Sequence, residues 1–129
     1  MKRYAILCGS AKENYEQTKI SLMHEKLLAD GWAENEITIF PNGVNELLLE
    51  YALNNCVEQN NAKIFLFFCA LSQDCIKDDY ITLGNDEIRK SVIAHYVAVA
   101  EKVGAEMQVV YDADCELIAE ESLGWERAI

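Results

Sequence analysis

The chain has 129 residues, 51% of them apolar and 26% charged, with a formal net charge of −11. That length fits one domain, residues 1–129, able to bury about two-thirds of the surface of its unfolded chain. So acidic a surface repels phosphate backbones and anionic lipid, which excludes nucleic acid and membrane surfaces as partners, and the apolar runs fall far short of the ~20 residues of a membrane span.

Met1-Lys2-Arg3-Tyr4 leads straight into a strand, so no secretory leader is expected. The five cysteines are odd in number and lack a short regular spacing, which predicts reduced thiols and a cytoplasmic protein. Tyr4-Ala5-Ile6-Leu7-Cys8 reads as the first strand and is ended by Gly9-Ser10. Past a polar loop, Ile20, Met23, Leu27 and Leu28 fall at helical spacing, and Gly31 stops that helix. Ile37-Thr38-Ile39-Phe40 is the second strand, turned by Pro41-Asn42-Gly43. Val44, Leu47, Leu48, Tyr51 and Ala52 then predict the buried face of an amphipathic helix.

The run from Ile64 to Phe68 is apolar without a break, too short for a helix and rich in β-branched or aromatic side chains. Such a strand has both faces covered, in the middle of a parallel sheet. It ends in Cys69-Ala70-Leu71-Ser72-Gln73-Asp74. Asn85-Asp86-Glu87 is expected to cap the next helix, with Ile88, Val92, Tyr96, Val99 and Val103 as its buried stripe and Gly104 as its exit. Met107 to Tyr111 is a fourth strand, followed by Asp112-Ala113-Asp114-Cys115. The βαβαβαβ pattern predicts an α/β three-layer sandwich, a mainly parallel four-stranded sheet in the order 2-1-3-4. The segments at Cys8 to Ser10, Cys69 to Asp74 and Asp112 to Glu116 would then share one sheet edge, where open α/β sheets keep their functional groups.

That edge admits several chemistries. Cys8, Cys69, Cys75 and Cys115 would suit zinc, but no Cys-x-x-Cys pair occurs, and buried thiols closing strand ends are expected instead. Asp112 and Asp114 resemble an Asp-x-Asp cation site without the partner acid or lysine at the first strand end, so a solvated loop is expected. Gly9-Ser10 with Asn14 and Thr18 suggests a flavodoxin-like loop for the phosphate of FMN, against which Glu13 and Glu16 would act by repulsion. No metal and no cofactor are therefore expected. His24 and His95 lie on or beside helical apolar stripes and read as structural; Trp32 and Trp125 read as packing at helix exits, and Glu116, Glu120 and Glu121 as a solvated face.

The ordered motifs narrow these options. Tyr4 to Ser10, with Asn14-Tyr15 nearby, resembles the first strand and Ala-Gly-Ser ending of the caspase-like cysteine peptidases, the legumain type in particular. Gly31 to Ile39 is similar to that family's helix exit into strand two, and Ile64 to Ser72 to the strand ending in its His-Gly pair. Val109-Val110-Tyr111-Asp112-Ala113-Asp114-Cys115-Glu116 resembles the strand that carries the nucleophile, so the likeness spans residues 3 to about 118. It places the nucleophile at Cys115, the general base at Leu71 and the following glycine at Ser72. A thiol needs a base or positive charge to become a thiolate at neutral pH, and leucine supplies neither. Asp112, Asp114 and Glu116 disfavour the thiolate further. The glycine expected two residues past Glu116 is Ile118, Glu16 and Gln17 replace a substrate-reading basic residue, and only 14 residues follow Cys115 where the family adds two strands. The resemblance therefore implies a non-catalytic, caspase-like module for protein interaction or self-association, with the fourth strand as an edge that pairs another chain. The alternative is a cysteine peptidase using Cys115 with a base supplied in trans.

Overall fold

The structure is a computed structural model that describes residues 2–10, 18–59 and 61–115. Its centre is β3 (Lys63–Cys69), in which every residue from Ile64 to Cys69 is at most 1% exposed. β3 pairs in parallel with β1 (Arg3–Cys8) on one side and with β6 (Glu106–Asp112) on the other. β2 (Ile37–Phe40) pairs in parallel outside β1, so the sheet runs β2-β1-β3-β6. This is the expected order, with β6 as the strand read from Met107 to Tyr111.

Helix α1 (Lys19–Ala29) packs alone, among the described residues, on one face, against Ala5, Leu7, Phe65, Phe67 and Cys69. Helices α2 (Glu46–Val57) and α3 (Lys90–Lys102) cover the other face, over Ile6, Cys8, Ile64, Leu66 and Phe68. α1 starts where the Thr18 side chain accepts from the Ser21 N–H, satisfying one orphan donor of the first turn. It ends at Gly31, whose φ of +95° lets the Trp32 N–H turn back to the Leu27 carbonyl at 3.0 Å. Trp32 is buried at that exit beneath the Arg3 guanidinium, 4.6 Å from its ring centre.

Two expectations about the second half are corrected. Asn85-Asp86-Glu87 does not cap a helix. Tyr80–Leu83 (β4) and Asp86–Arg89 (β5) form an antiparallel hairpin around Gly84-Asn85, and α3 begins only at Lys90. Gly84, at φ +60°, supplies the left-handed backbone that a two-residue hairpin turn needs. Ile88 therefore belongs to β5 rather than to a helical stripe, and with Ile81 and Leu83 it is fully buried under α2 and α3. In α3 the fully packed residues are Ile93, Tyr96 and Ala100, while Val92, Val99 and Val103 are half-buried.

The buried face of α2 is also different. Leu49, Leu53, Cys56 and Val57 point inward, whereas Leu47 is 80%, Leu48 45% and Tyr51 66% exposed. Both sets have helical spacing, because α2 is apolar around most of its circumference and periodicity does not choose between them. The choice is made by tertiary anchors. The Asn45 side chain caps the helix by accepting from the Leu48 N–H at 2.8 Å, and Glu46 accepts from the Arg89 guanidinium of β5 at 3.0 Å. That ion pair holds the Glu46 carboxyl below its usual range and fixes the rotation of the helix. No described helix is long and apolar enough to cross a membrane.

Candidate functional site

The parallel register brings the C-terminal ends of β1, β3 and β6 together, with Cys8 opposite Phe68 and Cys69 opposite Asp112. Beyond β6 the chain stays stitched to β3: the Ala70 N–H donates to the Asp112 carbonyl at 2.9 Å and the Cys115 N–H to the Ala70 carbonyl at 3.0 Å. Asp114 takes a left-handed φ of +57°, a conformation that Asp tolerates better than most residues. The chain then delivers the Cys115 side chain to the α1 face, where it is 0% exposed. The Lys19 N–H at the start of α1 donates to the Cys115 carbonyl at 2.9 Å, closing the site from that side.

Gly9 makes this closure possible. Its hypothetical Cβ would lie 2.6 Å from Ile20 Cγ1, 3.1 Å from the Pro41 carbonyl and 3.2 Å from Cys115 Sγ, so any side chain there would collide with the lid over the thiol. The Ser10 N–H points at Cys115 Sγ from 3.5 Å. The Ser10 hydroxyl in turn accepts from the Gly84 N–H at 3.3 Å, tying the β4–β5 turn to the end of β1.

Cys69 is a neighbour of Cys115 on the α1 face. Cys69 Sγ approaches the Ala113 carbonyl at 3.6 Å. Interaction with the Cys115 side chain, then burial and the nearby negative groups, push the Cys69 thiol far above its usual range, and the opposing pull of Lys19 is the smaller effect. At neutral pH Cys69 is a thiol. Cys8, on the opposite face of the sheet, is pushed far up by burial alone. The four edge cysteines therefore do not converge. Cys8 faces α2 and α3, Cys69 and Cys115 face α1, and Cys75 is half-buried in a turn beside the Ser72 hydroxyl at 3.7 Å.

The sequence reading missed Lys19. Only 6% exposed, it sets its Nζ 2.7 Å from the Ala113 carbonyl and 3.4 Å from Asp112 Oδ2, and the Ala113 N–H donates to Asp112 Oδ1 at 2.8 Å. Asp112 thus belongs to a part-buried ion pair rather than to a solvated acidic loop. A lysine between a capping threonine and the first apolar residue of a helix carries no periodic signal, so only the fold reveals it.

Leu71 is 38% exposed at the position where the resemblance puts a base. Of the two imidazoles, His24 is held by Glu34 on the outer side of α1, and His95 stands exposed on α3 with its ring edge-on to Tyr96 at 5.3 Å. Asn14, Tyr15, Glu16, Gln17, Glu116, Ile118 and Trp125, which carry several of the family comparisons, lie outside the described residues.

The fold and the site together define an α/β three-layer sandwich with a sealed thiol pair at the C-terminal edge of its sheet. No protein-family model matches the sequence, and neither the curated proteins nor the solved structures give a match.

Proposed function

We propose that the chain is a non-catalytic, caspase-like module that acts through protein interaction or self-association. The observation that carries this reading is the closure of Cys115. Its sulfur is 0% exposed beside Gly9, Ser10 and Ile20, with the Cys69 thiol and the Ser10 N–H among its neighbours, and a hydrocarbon, Leu71, stands where the resemblance puts the base. A thiol nucleophile needs a substrate carbonyl at contact distance and a group that takes its proton. A sulfur at 0% exposure gives a substrate carbonyl no line of approach. The Lys19 ammonium is committed to Asp112 and the Ala113 carbonyl, and Cys69 beside it stays protonated.

The test is turnover of a broad peptide library by the purified chain and by Cys115→Ala. No cleavage above buffer is expected from either. Cleavage by the native chain that disappears in Cys115→Ala would overturn the reading in favour of a peptidase.

A further inference from the structure

On the side of the sheet away from Cys115, β2 and α2 enclose a groove of about 420 Å³. Thr38, Phe40, Leu48, Tyr51, Ala52 and Asn55 form its walls, and none of the described residues that line it carries a charge. In a chain of net charge −11 such a strip is unusual. The most exposed large apolar side chains of the described residues, Leu47 at 80% and Tyr51 at 66%, stand on the same helix, and Leu48 at 45% lines the groove beside Tyr51. β2 is an edge of the sheet, so among the described residues one side of its backbone has no strand partner.

We propose that this groove is filled by a second copy of the chain, related by a twofold axis that sets the two β2 edges antiparallel and α2 against α2. The proposal rests on the interaction reading above and names the surface and the partner. Three observations select a second copy. A twofold contact presents one patch twice, so each patch must hold both projection and recess; here Leu47 and Tyr51 project beside the groove they would enter in the partner. An antiparallel pair of identical edge strands satisfies both unpaired backbones at once. Finally, the described lining offers no carboxylate to a cationic peptide, whereas two chains of −11 can meet on such a strip with few like charges apposed. The other described edge, β6, is less suited. Met107, Val109 and Tyr111 turn into the core, Tyr111 stacks on Phe68 at 5.4 Å, and Glu106 and Asp112 put charge at both ends.

The charge argument fixes the sign of the salt effect. Long-range repulsion between two acidic chains is screened as salt rises, so association tightens with ionic strength, the reverse of binding to a basic partner. Light scattering or sedimentation of the full chain from about 10 to about 500 µM, a range that brackets a micromolar contact, tests the proposal. The expected mass moves from 14.6 kDa toward twice that value, at several-fold lower protein concentration in ~0.2 M than in ~0.02 M salt. Leu48→Asp and Tyr51→Asp, both at exposed helix positions, should each shift the midpoint at least about tenfold upward with unchanged helical circular dichroism. A single-chain mass at every concentration and salt, or a dimer indifferent to both variants, would overturn it. A dimer loosened by salt would overturn it too. Peptide turnover lost in Cys115→Ala would instead sink the non-catalytic reading and leave these masses unchanged.

Discussion

Thiol accessibility can be read one cysteine at a time, because the five cysteines sit in graded environments. The perturbation is a pulse of iodoacetamide at about pH 8 on the native chain, near the unperturbed thiol range. Cys75 is half-buried and can react without unfolding. Cys115 is 0% exposed and is held by two backbone hydrogen bonds, Cys115 N–H to the Ala70 carbonyl at 3.0 Å and Lys19 N–H to the Cys115 carbonyl at 2.9 Å. Breaking each costs about 1 kcal/mol net, and exposing the small apolar side chain adds about another 1 kcal/mol. A local opening of about 3 kcal/mol slows labelling roughly 100-fold relative to Cys75. Cys8 and Cys69 sit in sheet strands, so they open only with the fold and should lag by a factor of about a thousand or more. Peptide mass spectrometry of quenched samples gives the order directly: Cys75 first, Cys115 well behind, Cys69 and Cys8 last. Labelling of Cys115 ahead of Cys75 would refute the sealed-thiol geometry, because only an accessible and ionised sulfur reacts first.

Gly9→Ala should destabilise the fold by about 1–3 kcal/mol, since its Cβ meets the buried Ile20 at 2.6 Å and the fixed Pro41 carbonyl at 3.1 Å; a midpoint in urea within error of the native chain would count against that packing. Lys19→Met should cost about 2 kcal/mol by leaving Asp112 without its cation, less than a fully buried pair because the Asp112 side chain is 24% exposed. Lys19→Met combined with Asp112→Leu should recover part of the loss, and strict additivity in urea melts would contradict the pairing. Stability should be flat through neutral pH and fall above about pH 8.5, where unfolded thiols ionise. Folded Cys8 and Cys69 are pushed up and keep their protons there, so the unfolded state binds fewer protons and each thiol removes about 1.4 kcal/mol per pH unit. Burial pushes Cys56 up to about 11, and it adds to the same slope. Urea midpoints that hold level to pH 10 would exclude this. On the acid side, Glu46 is held low by Arg89 and Glu36 by the Ala33 N–H and then by Arg3. Both contribute stability that is present above the ordinary carboxylate range and lost as pH falls below about 4.5, to a small extent because water screens pairs whose arginines are 67% (Arg89) and 34% (Arg3) exposed. Arg89→Ala should flatten the Glu46 part of that loss.

What the sequence discloses depends on whether a signal has one physical reading. Ile64 to Phe68 has one: an unbroken apolar run of strand length must be covered on both faces, and β3 is central. Gly31 and Gly104, at φ +95° and +75°, end their helices because the carbonyls left at a helix terminus need a left-handed residue to reach them. Right-handed crossovers with short connections imply a parallel sheet with helices on both faces, and the order 2-1-3-4 is one of several that they allow. Other stretches had two readings. The apolar residues of α2 supply two helical stripes, and the capping geometry at Asn45 and the distant Arg89 decide between them. Asn85-Asp86-Glu87 resembles a helix cap, yet Gly84-Asn85 between alternating Tyr80-Ile81-Thr82-Leu83 and Asp86-Glu87-Ile88-Arg89 is a hairpin signal that the acidic triplet obscured. At the candidate site, Cys115 and Asp112 could be named because they end a strand. Lys19 could not, because its partners lie 93 and 94 residues away in the chain.

The two halves of the molecule differ in a way that bears on what it does. At the C-terminal edge of the sheet, where α/β folds usually open toward a ligand, the described residues draw together: the Ser10 hydroxyl binds the hairpin turn, Gly9 admits Ile20 and Cys115 to close contact, and Lys19 bridges Ala113 and Asp112. Each of these contacts uses a polar or small residue to remove access rather than to create it. Along β2 and α2 the opposite holds, with large apolar side chains left in water beside an unpaired strand. Exposed apolar side chains forgo stability that burial would provide, about 25 cal/mol for each Å² left in water. On the proposed interaction reading, loss of function by single substitutions should concentrate on the β2–α2 face rather than at the thiol edge.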